Sequence, residues 1–289
     1  MEHNTAPQAG PGSQHDGGIA IRDLELAIVT KTSRIELLRG LSLDAPQGQI
    51  TGLAGESGSG KTMTGLTICG LEPTKAKSEG QVWYRGRNLL ELSRKQMNKH
   101  RGCDIAMIFQ DPVASLHPML SIKRQMTDHM RFHLGLSRRE AIERAAELLD
   151  RVAVPDPRLA LEKFPHQFSG GQLQRIAIAS ALAANPSVLI ADEPTTALDV
   201  TVQAGILALL RKLCDELEIA IILVTHDLGV MSSIADTVAI MRDGRIVEHG
   251  DRYQVIRDPA HHYTRELVEA LPQHRPPLTG ITEYRGQNS

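Results

Sequence analysis

Eight residues, GESGSGKT from Gly55 to Thr62, limit what this 289-residue chain can fold into more than any other stretch. Three glycines and two serines cannot build a packed core. Yet the run lies between QITGLA, an apolar strand pattern, and MTGLTICGL, whose apolar residues have helical spacing. Strand, glycine loop and helix in that order make G-x-x-x-x-G-K-[ST] a phosphate cradle, whereas a Gly/Ser linker needs no such flanks. Gly55, Gly58 and Gly60 can take positive φ and let backbone N–H groups close around an oxyanion, with a helix start adding partial positive charge. Lys61 would reach the β- and γ-phosphates, and the Thr62 hydroxyl would hold Mg2+. Glu56, Ser57, Ser59 and Met63, which follows the loop, complete the nucleotide-binding candidates.

Lys plus Arg (32) nearly balances Asp plus Glu (34), so no strong field points to nucleic acid and none is expected as a partner. Cys69, Cys103 and Cys214 are scattered, which suits a reducing cytosol and offers neither a disulfide framework nor a metal-ligand spacing. The longest apolar runs, such as IAIILV at 219–224, fall far short of the ~20 residues of a membrane span and read as buried parallel strands. The first residues lack the apolar core of a signal peptide. Residues 1–18, polar and rich in Pro and Gly, are expected to form a disordered lead-in, and 272–289 a polar tail.

Short apolar strands alternate with longer helical patterns, which favours an α/β fold on a largely parallel sheet. Strands are expected at 50–54, 105–109, 188–191, 219–224 and 237–241. Ser137 and Glu140 have capping-box spacing, and Ile142, Ala145, Ala146, Leu149 and Val152 follow on one helical face. A helical insertion is therefore expected from about 111 to 184 within one domain at 19–271.

In SVLIADEPTT, four apolar residues run into Asp192 and Glu193, placing two carboxylates where a buried strand ends. Open α/β sheets bind ligands at such ends. Neighbouring strand residues point to opposite faces, so backbone curvature must turn the second acid towards a nucleotide. One acid can hold Mg2+ through water while the other polarises the attacking water. In FSGGQLQR, Ser169, Gly170, Gly171 and Gln172 open a second helix with an anion-binding start. Taken alone, that is a Ser-capped helix. Beside a single cradle, it suggests two chains sharing nucleotides head to tail.

Together these stretches resemble the nucleotide-binding subunit of an ABC transporter over roughly residues 19–271. GESGSGKT resembles the Walker A motif, VLIADE the Walker B motif and FSGGQ the signature, with Phe168 for the usual Leu. Gln110 in MIFQDP falls at the Q-loop, Ala197-Leu198-Asp199 at the D-loop and His226 in LVTHD at the switch histidine. The resemblance implies a P-loop NTPase: a RecA-like, largely parallel sheet core with an inserted α-helical subdomain and an antiparallel β edge. It further implies ATP and Mg2+, with Thr62, Gln110 and Asp192 around the metal. Glu193 would be the general base and His226 would contact the γ-phosphate. Ser169 to Gln172 and Asp199 would meet the ATP of a second ATPase subunit.

The segments IFQDPVASLHPMLSI, DEPTTALDV and DPAHHYTRELVEALP are similar to the D-type ATPases of dipeptide, oligopeptide and nickel importers. That likeness implies a peripheral protein on the cytoplasmic face of the cell membrane. Its partners would be a distinct F-type ATPase, two permease subunits and an extracytoplasmic solute-binding protein. DPVASLHPMLSI would contact the membrane subunits. The alternative is a soluble ABC-type ATPase of DNA repair, translation or cell division. Repair and translation members usually carry two cassettes or long inserted domains, and neither is read here. His129 and His133, four apart, could share a helix face as a metal pair, but a metalloprotease glutamate is missing between them.

One departure yields a prediction. Members of this family place an aromatic residue before Walker A to stack on adenine, and the equivalent position here is Ile28, while the first aromatic residue of the chain is Trp83. Base–aromatic stacking is worth about 1–3 kcal/mol in single-stranded nucleic-acid complexes. Phosphates and metal should then dominate binding, so titration should find the Kd values for ATP and GTP within about tenfold. Ile28→Tyr should tighten ATP. A strong ATP preference unchanged by Ile28→Tyr would mean that adenine is held elsewhere, by a partner or by the tail around Tyr263.

Overall fold

A computed structural model describes residues 17–30, 32–196 and 198–271. Nearly all of the expected lead-in and the whole expected tail at 272–289 therefore lie outside the described residues. In chain order the strands are β1 (Ile19–Val29), β2 (Arg34–Ala45), β3 (Ile50–Ala54), β4 (Ala76–Tyr84) and β5 (Arg87–Asn88). They continue with β6 (Ile105–Ile108), β7 (Val188–Asp192), β8 (Ala220–Thr225), β9 (Thr237–Arg242) and β10 (Arg245–Asp251). The helices are α1 (Lys61–Ile68), α2 (Arg94–His100), α3 (Pro112–Ser115), α4 (Ile122–Leu134), α5 (Arg138–Arg151) and α6 (Pro157–Glu162). After them come α7 (Gly170–Ala181), α8 (Val200–Leu217), α9 (Leu228–Ile234), α10 (Arg252–Arg257) and α11 (His262–Glu269).

The central sheet has the order β10-β9-β3-β8-β7-β6, parallel from β9 to β6, with β10 antiparallel at its edge. The parallel strands are mostly apolar along their length because both faces are covered, with polar residues confined to Thr51 and to strand ends. On β8, Ile221 and Leu223 join a cluster with Leu149, Ile178 and Leu210 of the helices. Ala220, Ile222 and Val224 on the same strand join a second cluster with Ile21 and Leu41. Those last two belong to a separate antiparallel sheet, β2-β1-β4-β5. The expected antiparallel edge is therefore both one strand of the main sheet and a second sheet covering it. The strict alternation that would have marked β1 is broken by register shifts around Leu24 and Leu26 and by Asp23 at φ 46°.

Five helices, α3 to α7, lie between β6 and β7. The capping box at α5 forms as expected, with Ser137 N–H donating to Glu140 Oε2 at 2.8 Å and Glu140 N–H to Ser137 Oγ at 3.3 Å. The buried face of α5 is Ala141, Ala145, Ala146, Leu148 and Leu149, while Ile142 is only partly covered. Ala145, Ala146, Leu149 and Val152 of the expected stripe are buried, and the face is widened to Ala141 and Leu148 because α4, α6 and α7 all pack against the helix. Chain from β8 supports both clusters, so truncation there should be costly. Leu223, fully buried, should on change to Ala lower unfolding stability by about 2–5 kcal/mol, read from urea denaturation.

Candidate active site

Parallel register sets the site. Ala54 pairs with Thr225, Asp192 with Val224 and Ile108 with Ala191. The residues that follow each strand therefore emerge along one sheet edge: the glycine loop after β3, Glu193 after β7, His226 after β8 and Gln110 after β6.

The glycine loop is shaped by close approach. Gly55 has φ 150°, and a Cβ there would stand 2.1 Å from the Met241 carbonyl oxygen. Gly60, at φ 106°, caps α1, and a Cβ on it would press Met241, Leu38 and the Leu37 carbonyl. Gly58 also has positive φ but faces open space. Glu56, Ser57 and Gly58 form the exposed rim, Ser59 is buried and Met63 is half-buried against the second cluster. Gly244 N–H donates to the Ser59 carbonyl at 3.0 Å. Lys61 is buried, and its ammonium donates to the carbonyls of Gly55 and Glu56 at 2.8 Å each and to Ser59 Oγ at 3.4 Å. Burial pulls its pKa down, against the attraction of Glu193, Asp192 and Glu56.

Facing the loop, the Thr62 hydroxyl donates to Asp192 Oδ1 at 3.1 Å. Asp192 is the last residue of β7 and is buried. Burial raises its pKa and Glu193 adds to this, while the Thr62 hydrogen bond and Lys61 oppose them. Glu193 takes the left-handed conformation, φ 46°, while its N–H donates to the Val224 carbonyl at 2.8 Å. This is the curvature that the sequence required: one residue in a costly backbone region turns the second acid onto the side of the first. Gln110 Nε2 donates to Glu193 Oε2 at 2.9 Å, and the Thr196 hydroxyl to the same oxygen at 2.8 Å. His226 Nδ1 meets Glu193 Oε1 at 3.0 Å. Burial would raise the Glu193 pKa, but hydrogen bonds from His226 and Thr196 outweigh it and hold the carboxyl below its ordinary value.

The cradle residues, Asp192, Glu193, Gln110 and His226 thus share one edge, whereas Ser169 to Gln172 do not join this network. They cap α7 by a reciprocal box, Ser169 N–H to Gln172 Oε1 at 3.1 Å and Gln172 N–H to Ser169 Oγ at 3.4 Å. Gly170 and Gly171 instead pack towards Leu198 and Val202 at the start of α8. Asp199 caps α8 by accepting from Val202 N–H at 2.9 Å, and Ala197 lies outside the described residues. The His129 and His133 rings lie 4.6 Å apart between centroids, tilted at 60°, and His129 Nε2 lies against the Gly102 carbonyl at 3.2 Å. No group of three or more His, Cys, Asp or Glu placed to hold a metal exists among the described residues, so the pair has no third ligand. Ile28 is half-buried in β1 opposite Ile35 and Ala76. Tyr263 is 2% exposed with the Arg242 guanidinium 4.5 Å over its ring, so it offers no face to a base. Thr196 was not foreseen, since its contact exists only because Glu193 turns left-handed.

A parallel sheet with a glycine-loop cradle facing an Asp-Glu strand end defines a P-loop ATPase. Residues 38–196 match the family model described as ABC transporter, and residues 247–289 that described as oligopeptide/dipeptide transporter, C-terminal region. The chain belongs to the ABC transporter family and is an ATPase of it. It is 43% identical to the oligopeptide transport ATP-binding protein OppD of Bacillus subtilis over 256 residues, 88% of this chain and 72% of that protein. It is 42% identical to the dipeptide transport ATP-binding protein DppD of Lactococcus lactis subsp. cremoris, covering 88% of this chain and 73% of that protein. Among solved structures, the ATP-binding cassette MJ0796, a dimer in a post-hydrolysis state with ADP and Pi, matches with TM-score 0.71. That match is at 30% identity, covering 81% of this chain and 98% of the other.

The hydrogen bonds to Glu193 predict a pH effect. An activity that needs the carboxylate is lost as pH falls through its depressed pKa. Thr196→Val removes one of the bonds that depress it, so the pKa rises and the acid limb of the ATPase profile should move to higher pH. Turnover measured against pH for both proteins checks this.

Proposed function

We propose that the chain is the ATP-hydrolysing subunit of an importer for peptides or a related small solute, working with separate membrane subunits. The single observation that carries the mechanism is Glu193, held by Gln110, Thr196 and His226 beside the Lys61 loop. The backbone of Gly55 to Met63 cradles the polyphosphate, and Lys61 leaves its carbonyl contacts to meet the β- and γ-phosphates. Glu193 takes the proton from the attacking water and His226 contacts the γ-phosphate. Phosphoryl transfer asks mainly for positioning and charge stabilisation, which these groups supply.

The oxygen donors fit Mg2+. The Thr62 hydroxyl and the Asp192 carboxylate already stand 3.1 Å apart, and Mg2+ is usually bound by one or two protein oxygens with phosphates and water completing the shell. Gln110 would join them after release from Glu193. When bound, the ion neutralises charge on the phosphates.

The exposure of Ser169 and Gly170 supports a signature that serves the nucleotide of a second ATPase subunit, read as a distinct F-type partner, with Asp199 at the same interface. Two permease subunits, contacted through the segment after Gln110, and an extracytoplasmic solute-binding protein complete the assembly. No helix among the described residues is long and apolar enough to cross a membrane. The chain would sit peripherally on the cytoplasmic face through its permease subunits. The soluble repair, translation or division reading is not favoured, since the relatives are named as transport proteins.

Glu193→Gln tests the mechanism because it keeps size and hydrogen bonding but cannot accept a proton. Turnover should fall at least ~100-fold while ATP binding persists. The ATP-bound dimer should accumulate on gel filtration. Hydrolysis near the parent rate would remove Glu193 as the base.

A further inference from the structure

We propose that Tyr263 is a positioning residue for the phosphate loop, so that α11 sets the affinity of the chain for nucleotide. The proposal rests on the reading of residues 55–63 as the nucleotide cradle.

Tyr263 lies in α11, 26 positions before the end of the 289-residue chain, yet its hydroxyl accepts the N–H of Glu56 at 3.2 Å. The residue it holds is committed on both sides. Its N–H goes to Tyr263 and its carbonyl accepts the Lys61 ammonium at 2.8 Å. A shift of Tyr263 therefore moves the peptide that parks the lysine. The Glu56 N–H is spent on Tyr263, so within the loop it is the other amides that remain free to meet phosphate.

Two further contacts make the tyrosine a fixed post. The Arg242 guanidinium lies 4.5 Å over its ring, and Arg242 follows Met241, whose carbonyl borders Gly55. The turn before α11 is hooked on Glu248 of β10, which accepts Ala260 N–H at 2.8 Å and His261 N–H at 3.1 Å. A buried tyrosine needs a partner for its hydroxyl. Here the partner is a loop amide more than 200 residues away in sequence, which ties a C-terminal helix to the reaction centre.

Tyr263→Phe in the full chain removes the hydroxyl and keeps the ring under Arg242. The Kd for ATP should rise about three- to tenfold, the range for losing one hydrogen bond to the loop. KM for ATP should rise in step while kcat at saturation falls less than about twofold. A purely structural tyrosine would lower thermal stability without that split. In the unmodified chain, the Glu56 amide should exchange with deuterium more slowly than those of Ser57 and Gly58, and Tyr263→Phe should erase the difference. ATP binding like the parent, or an unprotected Glu56 amide in the parent, overturns the proposal. The amide measurement decides it even if the variant does not fold. Lys61→Ala separates the two readings. If it binds ATP as the parent does, the cradle reading fails. If it loses ATP while Tyr263→Phe does not, only the role of Tyr263 fails.

Discussion

Parallel hydrogen bonding from β9 through β3, β8 and β7 to β6 fixes where every chemically committed residue can stand. In a parallel sheet all carboxyl ends lie on one edge, so four separate loops deliver their first residues to the same line. Ala54 pairs with Thr225, Asp192 with Val224 and Ile108 with Ala191, so the chain leaves each strand at nearly the same level and delivers Gly55, His226, Glu193 and Gln110 to that edge. The hydrophobic burial of β8 on both faces holds this register. A one-residue slip would exchange its two apolar sets between the clusters, and residues shaped for one would misfit the other.

On that edge the two adjacent acids are driven apart in character. Asp192 is enclosed, and burial pushes its carboxyl up. Glu193, one residue later, is held down by His226 and Thr196. Two titratable neighbours with opposed environments are the pattern by which one site assigns separate roles to like groups. Asp192 pairs with the Thr62 hydroxyl, and Glu193 gathers Gln110 and His226. The left-handed backbone at Glu193 makes that division possible. Its cost, of order 1–3 kcal/mol, is borne by the rigid strand pair behind it.

Much of this was legible in the residues. The glycine loop was readable because its chemistry depends on spacing within eight residues, and the capping box at Ser137 and Glu140 because it spans one helical turn. The strands of the parallel core were readable to within one or two residues because buried strands are continuous apolar runs. The antiparallel sheet was visible only in outline. Its strands carry bulges that break the period of two, and its face is completed by Val188 and Ile222 from strands far along the chain. The stripe on α5 was readable from helical spacing, and only its widening to Ala141 and Leu148 depended on the neighbouring helices.

The sequence by itself determined the phosphate loop, the acid pair, the parallel core and the family. Each of these is a local pattern whose physics operates over a few residues. Only the tertiary structure decided how the second acid turns towards His226 and Gln110, through a φ of 46° at Glu193 fixed beside its hydrogen bond to Val224. Only it placed Tyr263 on Glu56 and withheld that ring from the base. Contacts between residues 56 and 263, or 110 and 193, depend on chain closure over long separations. Composition and periodicity carry no record of it.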